Sequence, residues 1–222
     1  MINERSLQGY IGGSDAIRVH GTWETDTFRK FWRERLTGFK EAAHFQTIDT
    51  AAGNIMEGEI LEAVGVPKEY WSIYFPPGKT MAGINTDAFQ PKIYHEAKCI
   101  LAEEASRWVI GYAISSVYMQ QLKHGLFVTG AEEGRLHVCM LERHEKKNPF
   151  LVDATKRTVT FTFSREFFDY KEESEKAKAK GALSPVTMWH YEQMLVYLTE
   201  CYNEGIFPKD AKRKEILNLF II

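Results

Sequence analysis

The feature that most constrains how this chain folds is a pair of strand-like runs, Thr80 to Phe89 and Lys92 to Leu101, hinged at Gln90-Pro91. Side chains alternate along a strand, so Tyr94, Glu96, Lys98 and Ile100 share one face of the second run, and His95, Ala97 and Cys99 share the other. The first run carries Asn85-Thr86-Asp87 near its end, and folding back at Gln90-Pro91 sets Asp87 near Glu96. Two carboxylates and one ammonium therefore meet at the edge of a hairpin.

Around this hairpin, apolar spacing predicts helices over Thr27 to Leu36, Asn54 to Val64, Glu103 to Thr129 and Ser184-Pro185 to Tyr202, with Gly130 stopping the third. Arg135 to Glu142 and Thr158 to Phe163 read as further strands. Pro67 to Lys79, rich in Pro and aromatics, reads as an irregular connection. Lys171 to Lys180, rich in Glu, Lys and Ala, reads as an exposed helix. This order of elements predicts a mixed α/β domain with helices packed on a small sheet. At 222 residues the expectation is a single domain over 1–222, its C-terminal third assigned by size.

Composition narrows the chemistry. Cys99, Cys139 and Cys201 are scattered and free of C-x-x-C spacing, which argues against a disulfide framework and against four-thiolate zinc or iron–sulfur sites. The net charge of -2 gives no global attraction to nucleic acid, so any positive potential is local, drawn from some of the 28 Lys and Arg. No apolar run is long enough to span a bilayer and no leader opens the chain, so the expected location is cytoplasmic with no membrane association.

Asp87, Glu96 and Lys98 together suit phosphodiester hydrolysis. Carboxylate oxygens hold Mg²⁺, a hard cation that keeps several waters for a substrate phosphate to displace. The ion polarises a phosphoryl oxygen and lowers the pKa of a bound water, while a lysine orients that water or stabilises developing charge. The carbonyl of Ala97 is a further candidate ligand. By itself D-x8-E-x-K also describes a solvated surface ion pair. Glu57 argues for more, because it lies in phase with Ile60, Leu61 and Val64, and a carboxylate facing the interior needs a cation; a helix-edge Glu is the alternative. Gln121 falls in phase with Ile114, Val117 and Tyr118, and a buried amide needs a partner, which a substrate phosphate, a metal-bound water or a neighbouring backbone group would supply. Gly12-Gly13-Ser14 presents backbone N–H groups and a hydroxyl to an anion, or else simply caps a helix.

These pieces resemble the YqaJ-type viral recombinase family, which includes the exonuclease of phage lambda. The resemblance rests on I-G-G-S-D-A at Ile11 to Ala16, G-N-I-M-E at Gly53 to Glu57, D-x8-E-A-K at Asp87 to Lys98, and Y-M-Q-Q-L-K-H-G-L-F-V-T-G at Tyr118 to Gly130. The four stretches stand in the family's order and cover about the first two thirds of the chain. The resemblance implies a restriction-endonuclease-like core, with a small mixed sheet flanked by helices. It also implies Mg²⁺-dependent digestion of one strand of double-stranded DNA from a 5′ end, with Mn²⁺ substituting, in a phage or prophage protein of a bacterial host. The implied partners are DNA ends, a single-strand annealing protein and further copies of the chain in a trimeric ring.

Carried over by position, the family pattern makes Asp87, Glu96 and the Ala97 carbonyl metal ligands, with Glu57 completing the acidic cluster. Lys98 assists the attacking water, Tyr118 and Gln121 line the site, and Ser14 contacts the terminal phosphate. The family arginine that grips that phosphate has its nearest counterpart in Arg5, displaced by about two residues, with Leu7 at the expected place. Lys123 stands where a second glutamine is common. Two other readings stand beside this one: a nuclease of the same fold with other polarity or endonucleolytic action, and a catalytically silent DNA-end-binding protein.

Overall fold

A computed structural model describes residues 8–39, 48–110, 114–169 and 187–219. Arg5, the Lys171 to Lys180 segment and the Ser184-Pro185 helix start lie outside the described residues.

The first third is helical: α1 (Ala16–His20), α2 (Asp26–Thr37) and α3 (Ile48–Ala63). Thr25 caps α2 by accepting from Phe28 N–H, and Gly38 closes it in the left-handed region at φ 73°. The helix expected from Asn54 begins six residues earlier, at Ile48. Two short strands follow, β1 (Tyr74–Phe75) and β2 (Ile84–Asn85), then β3 (Ala88–Gln90) and β4 (Ile93–Leu101). After α4 (Ala102–Val109) and α5 (Ser116–Thr129) come β5 (Glu133–Leu141), α6 (Ala154–Arg157), β6 (Thr158–Ser164), α7 (Met188–Glu204) and α8 (Asp210–Asn218).

The main sheet has the order β3-β4-β5-β6. β3/β4 and β5/β6 are antiparallel, whereas β4/β5 is parallel, with Glu96 opposite Leu136 and Lys98 opposite Val138. A parallel pair needs a crossover, which α4 and α5 supply. The expected mixed sheet flanked by helices is therefore the observed one.

Both faces of β4 are covered, as the alternation predicts. Tyr94 packs with Leu122 and Leu126 of α5, while Ile100 joins Ala105 and Trp108 of α4. On the opposite face, Ala97 and Cys99 pack with Met56 and Ile60 of α3. A separate, larger core gathers Trp23, Phe28 and Trp32 with Leu195 and Leu198 of α7 and Ile216 of α8.

Three expectations are corrected. The helix predicted over Glu103 to Thr129 is two helices: α4 is closed at Ile110, and α5 starts at Ser116. In consequence the buried side of α5 is formed by Leu122, Gly125 and Leu126, while Val117 is 39% exposed and Ile114 precedes the helix. Second, the run Thr80 to Phe89 is not one strand. Ile84–Asn85 pairs with β1, Thr86 turns away through its bonds to the Ile73 carbonyl, and Ala88–Gln90 pairs with β4. Third, the final helix begins at Met188, capped by Thr187, and closes at Gly205 in the left-handed region at φ 68°.

Candidate active site

The hairpin turn is tight. Gln90 pairs with Ile93 across Pro91 and Lys92, and Lys92 takes φ 70°, a conformation more usual for glycine. β3 is so short that it covers only Ile93, Tyr94 and His95 of β4. From Glu96 onward that edge of β4 has no β3 residue beside it, and its backbone groups need other partners. Side chains provide them. The Asp87 carboxylate accepts the Ala97 N–H at 2.7 Å, and the Ala97 carbonyl accepts from Lys98 Nζ at 3.0 Å.

Lys98 is the hub of the cluster. Its ammonium contacts Glu96 Oε1 and lies 3.8 Å from Asp87 Oδ2. Glu96 is 8% exposed, and its other oxygen, Oε2, accepts from the Tyr94 hydroxyl. Glu57 reaches the same edge from α3, near enough to be influenced by Lys98 and Glu96. The hairpin argument thus placed Asp87 by Glu96; helical phase turned Glu57 inward, and the family resemblance, not the phase, assigned it to this cluster, where it lies within electrostatic reach of both.

The electrostatics follow from burial. Desolvation, reinforced by the negative charge of Glu96, pushes the Asp87 carboxyl up to about 8. Burial likewise raises Glu57, with Lys98 opposing and Glu96 adding to the shift. Desolvation alone would lower Lys98, but the carboxylates of Glu96 and Asp87 outweigh it and hold the ammonium above the ordinary lysine range. Carboxyl groups crowded around one cation, one of them retaining its proton near neutrality, form a site short of positive charge.

Fit to a divalent cation can be judged from Lys98 itself. Among the described residues no group of three His, Cys, Asp or Glu side chains is gathered into a ready-made cage. Instead, the oxygens the sequence assigns to a metal (Asp87, Glu96 and the Ala97 carbonyl) surround a single ammonium. The lysine stands in for a cation, and the donor set is all hard oxygen, as Mg²⁺ or Mn²⁺ prefers.

Gln121 is the remaining residue that the resemblance assigns to the site. Gly125 lies against the Tyr94 ring, and Gln121 sits one turn earlier on the same side of α5. α5 belongs to the crossover between parallel strands and so runs against β4; one turn back along it leads from Tyr94 toward Glu96. The Gln121 Oε1 atom is buried with no hydrogen-bond partner.

The other residues the resemblance assigns to the site have these surroundings. Tyr118 is half-buried and meets the Trp108 ring edge-on, with centroids 5.7 Å apart. Ser14 is exposed on the turn Gly13–Asp15, which packs on α5. The anion-binding reading of this turn needs one correction: the Gly12 N–H is already donated to Asp15 Oδ2 at 3.1 Å. Lys123 is 8% exposed, its ammonium over the Phe168 ring.

Sequence reasoning missed two supports. One is the Tyr94 hydroxyl, although its place on the Glu96 face was legible. The other is a chain of polar side chains that ties β3, and hence Asp87, to the sheet. Gln90 Oε1 and His95 Nε2 are 3.0 Å apart, His95 Nδ1 and His137 Nε2 2.9 Å, and His137 Nδ1 and Thr160 Oγ1 2.8 Å. Burial first, with Arg135 nearby, lowers His95 to about 4; burial and His95 lower His137 to about 3. Both rings are therefore neutral at pH 7 and suited to alternate donor and acceptor roles along the chain.

The fold and this hairpin site define a restriction-endonuclease-like α/β architecture. Solved structures that share this fold include exonucleases. The complex of LHK-Exo with dAMP superposes with a TM-score of 0.58 at 14% identity, covering 94% of this chain and 94% of that one. A phage-related exonuclease from Haemophilus somnus 129PT gives 0.54 at 14% identity, over 88% and 96%. The alkaline exonuclease LHK-Exo from Laribacter hongkongensis gives 0.52 at 14% identity, over 94% of both chains. No family model and no curated protein matches the chain. At this identity the likeness establishes the fold, which is the one the sequence resemblance implied.

Proposed function

We propose that the chain is a divalent-metal-dependent deoxyribonuclease that digests one strand of linear double-stranded DNA from the 5′ end, in phage-type recombination. The observation that carries this reading is the convergence of Asp87, Glu96 and the Ala97 carbonyl on the Lys98 ammonium. When bound among those oxygens, Mg²⁺ or Mn²⁺ supplies polarisation of a phosphoryl oxygen and a more acidic water. Lys98, released from the oxygens it now holds, keeps a positive charge at the same edge, where it orients a water or balances charge on the phosphate. Glu57 adds a third carboxylate from α3, and Gln121 offers its open acceptor. Ser14, Tyr118 and Arg5 are assigned to DNA by the family resemblance, together with a DNA-end substrate, an annealing partner and a trimeric ring. Among the described residues no helix is long and apolar enough to cross a membrane, in keeping with a protein acting on DNA in the bacterial cytoplasm.

Linear duplexes bearing 5′-phosphoryl, 5′-hydroxyl or blocked ends, incubated with and without Mg²⁺, test this directly. The expected result is metal-dependent loss of one strand from the 5′ end, with Arg5→Ala weakening the preference for phosphorylated ends. Digestion from the 3′ end or internal cutting would replace the polarity assigned here. No metal-dependent degradation of any duplex would remove the enzyme reading altogether.

The Asp87 carboxyl gives a pH prediction. With its pKa raised to about 8, it is mostly protonated at pH 7, and a cation must displace that proton to bind. Apparent metal affinity should climb with pH to about 8 and then level off. Calorimetry in buffers of differing ionisation enthalpy should find on the order of one proton released per cation at pH 7 and far fewer above pH 9. Proton release that is absent throughout this range would show that Asp87 is not displaced in this way.

A further inference from the structure

We infer that Tyr94 is a positioning residue that reserves one oxygen of Glu96 for the protein, leaves the other to face the cation, and thereby sets which divalent ion the site prefers. The inference deepens the metal-dependent reading above and rests on it.

Tyr94 and Glu96 lie two residues apart on one face of β4, so their side chains run side by side. The Tyr94 hydroxyl donates to Glu96 Oε2, and Lys98 contacts Oε1. The two oxygens therefore have distinct roles: one is bound to a fixed group of the fold, and the other is bound to the Lys98 ammonium. Burial raises the phenol well above its ordinary range, so it remains a donor at any working pH.

What fixes the phenol is Gly125. A Cβ at that position would lie 2.1 Å from Tyr94 Cε1 and 2.3 Å from Cζ, so the ring occupies the space a side chain on α5 would fill. Leu122 and Leu126 close around the same ring, and Tyr94 is 0% exposed. The hydroxyl cannot swing away without breaking this packing. Here the sheet–helix contact does more than stabilise: it aims a donor.

The consequence is selectivity. Ca²⁺ takes six to eight oxygens and readily uses both oxygens of a carboxylate, whereas Mg²⁺ and Mn²⁺ accept fewer ligands at closer range and retain water. A glutamate with one oxygen held by a phenol offers a single oxygen, which disfavours the larger ion.

The test is direct binding to metal-free protein, with Mn²⁺ followed by electron paramagnetic resonance and Ca²⁺ added as competitor. Tyr94→Phe retains the ring and deletes the O–H. It should raise the affinity for Ca²⁺ relative to Mn²⁺ by roughly tenfold, the effect of one hydrogen bond to a charged group. Gly125→Ala retains the hydroxyl but forces the ring to move, and should shift the ratio in the same direction. A folded Tyr94→Phe or Gly125→Ala protein with the wild-type ratio would overturn the inference, as would equal weakening of both ions, which marks a purely structural role. Wild-type protein that binds no Mn²⁺ would instead overturn the metal reading beneath it.

Discussion

Glu96→Gln and Lys98→Ala are each expected to abolish the proposed metal-dependent cleavage of linear duplex DNA, lowering it by about two to three orders of magnitude or more, but in different ways. Glu96→Gln removes the negative charge from the oxygen that faces Lys98 while leaving an acceptor for the buried Tyr94 hydroxyl. It should lose both cation binding and cleavage. Glu96→Ala is a poorer probe, because it strands that hydroxyl and costs about 1–3 kcal/mol of stability through an unmet buried donor. Lys98→Ala takes away the ammonium that occupies the oxygen cluster. It should bind Mn²⁺ at least as tightly as the wild type and still fail to cut. Isothermal calorimetry and strand-degradation assays on the same preparations read the two properties separately. Retained cleavage in both variants would show that the reaction centre lies elsewhere. Lost Mn²⁺ binding in a folded Lys98→Ala protein would show that the lysine does not stand where the cation goes.

The contrast between these variants depends on features that differ in how plainly they are written in the sequence. The alternation of β4 was legible because a strand's side chains repeat every second residue whatever it packs against. Glu57 was legible because a carboxylate in phase with Ile60 and Leu61 is an anomaly on any amphipathic helix. The break between α4 and α5 was not, since apolar spacing persists across it and only the packing of Trp108 and of Leu122 on different parts of the sheet separates the two helices. The split of β2 from β3 was hidden for a similar reason: a run of strand-forming residues does not reveal that it changes partner at Thr86. Gly125 reads in sequence as a weak helix position, and its use appears only when the Tyr94 ring is seen to need the space. Gln121 was assigned to the interior correctly, but alongside Ile114 and Val117, which do not share that face.

The largest expected loss of stability lies away from the Asp87, Glu96 and Lys98 edge, in a pairing that local sequence patterns do not expose. Asp15, 6% exposed, sits at the end of the Gly-Gly-Ser turn and binds Arg35 of α2 at 2.7 Å, Arg18 at 2.8 Å and the Gly12 N–H. Arg35 is 4% exposed, with its guanidinium stacked over the Phe31 ring at 4.6 Å. Asp15→Ala leaves this guanidinium in the core without its carboxylate, a change that costs about 3–5 kcal/mol in buried pairs. For a chain of this size, that corresponds to a fall of roughly 10 °C in Tm. Asp15→Asn keeps the shape and an acceptor for Gly12 but still removes the charge, so it should recover only part of the loss. Arg35→Met in the Asp15→Asn background removes the stranded cation and should restore stability toward the wild type, because replacing both members of a buried pair is far milder than breaking it. Urea unfolding of the wild type, Asp15→Asn, Arg35→Met and the Asp15→Asn/Arg35→Met double variant measures the coupling as a double-mutant cycle. Additive losses would mean that Asp15 acts through Arg18 and the turn rather than through Arg35. Because this turn packs on α5, whose Gly125 and Gln121 border the Glu96 face, the same series tests how far the helix depends on the turn behind it. At temperatures where Asp15→Ala remains folded, its Mn²⁺ affinity should match the wild type if Gly125 alone holds Tyr94 in place, and should fall if the turn is needed to seat α5 against the sheet.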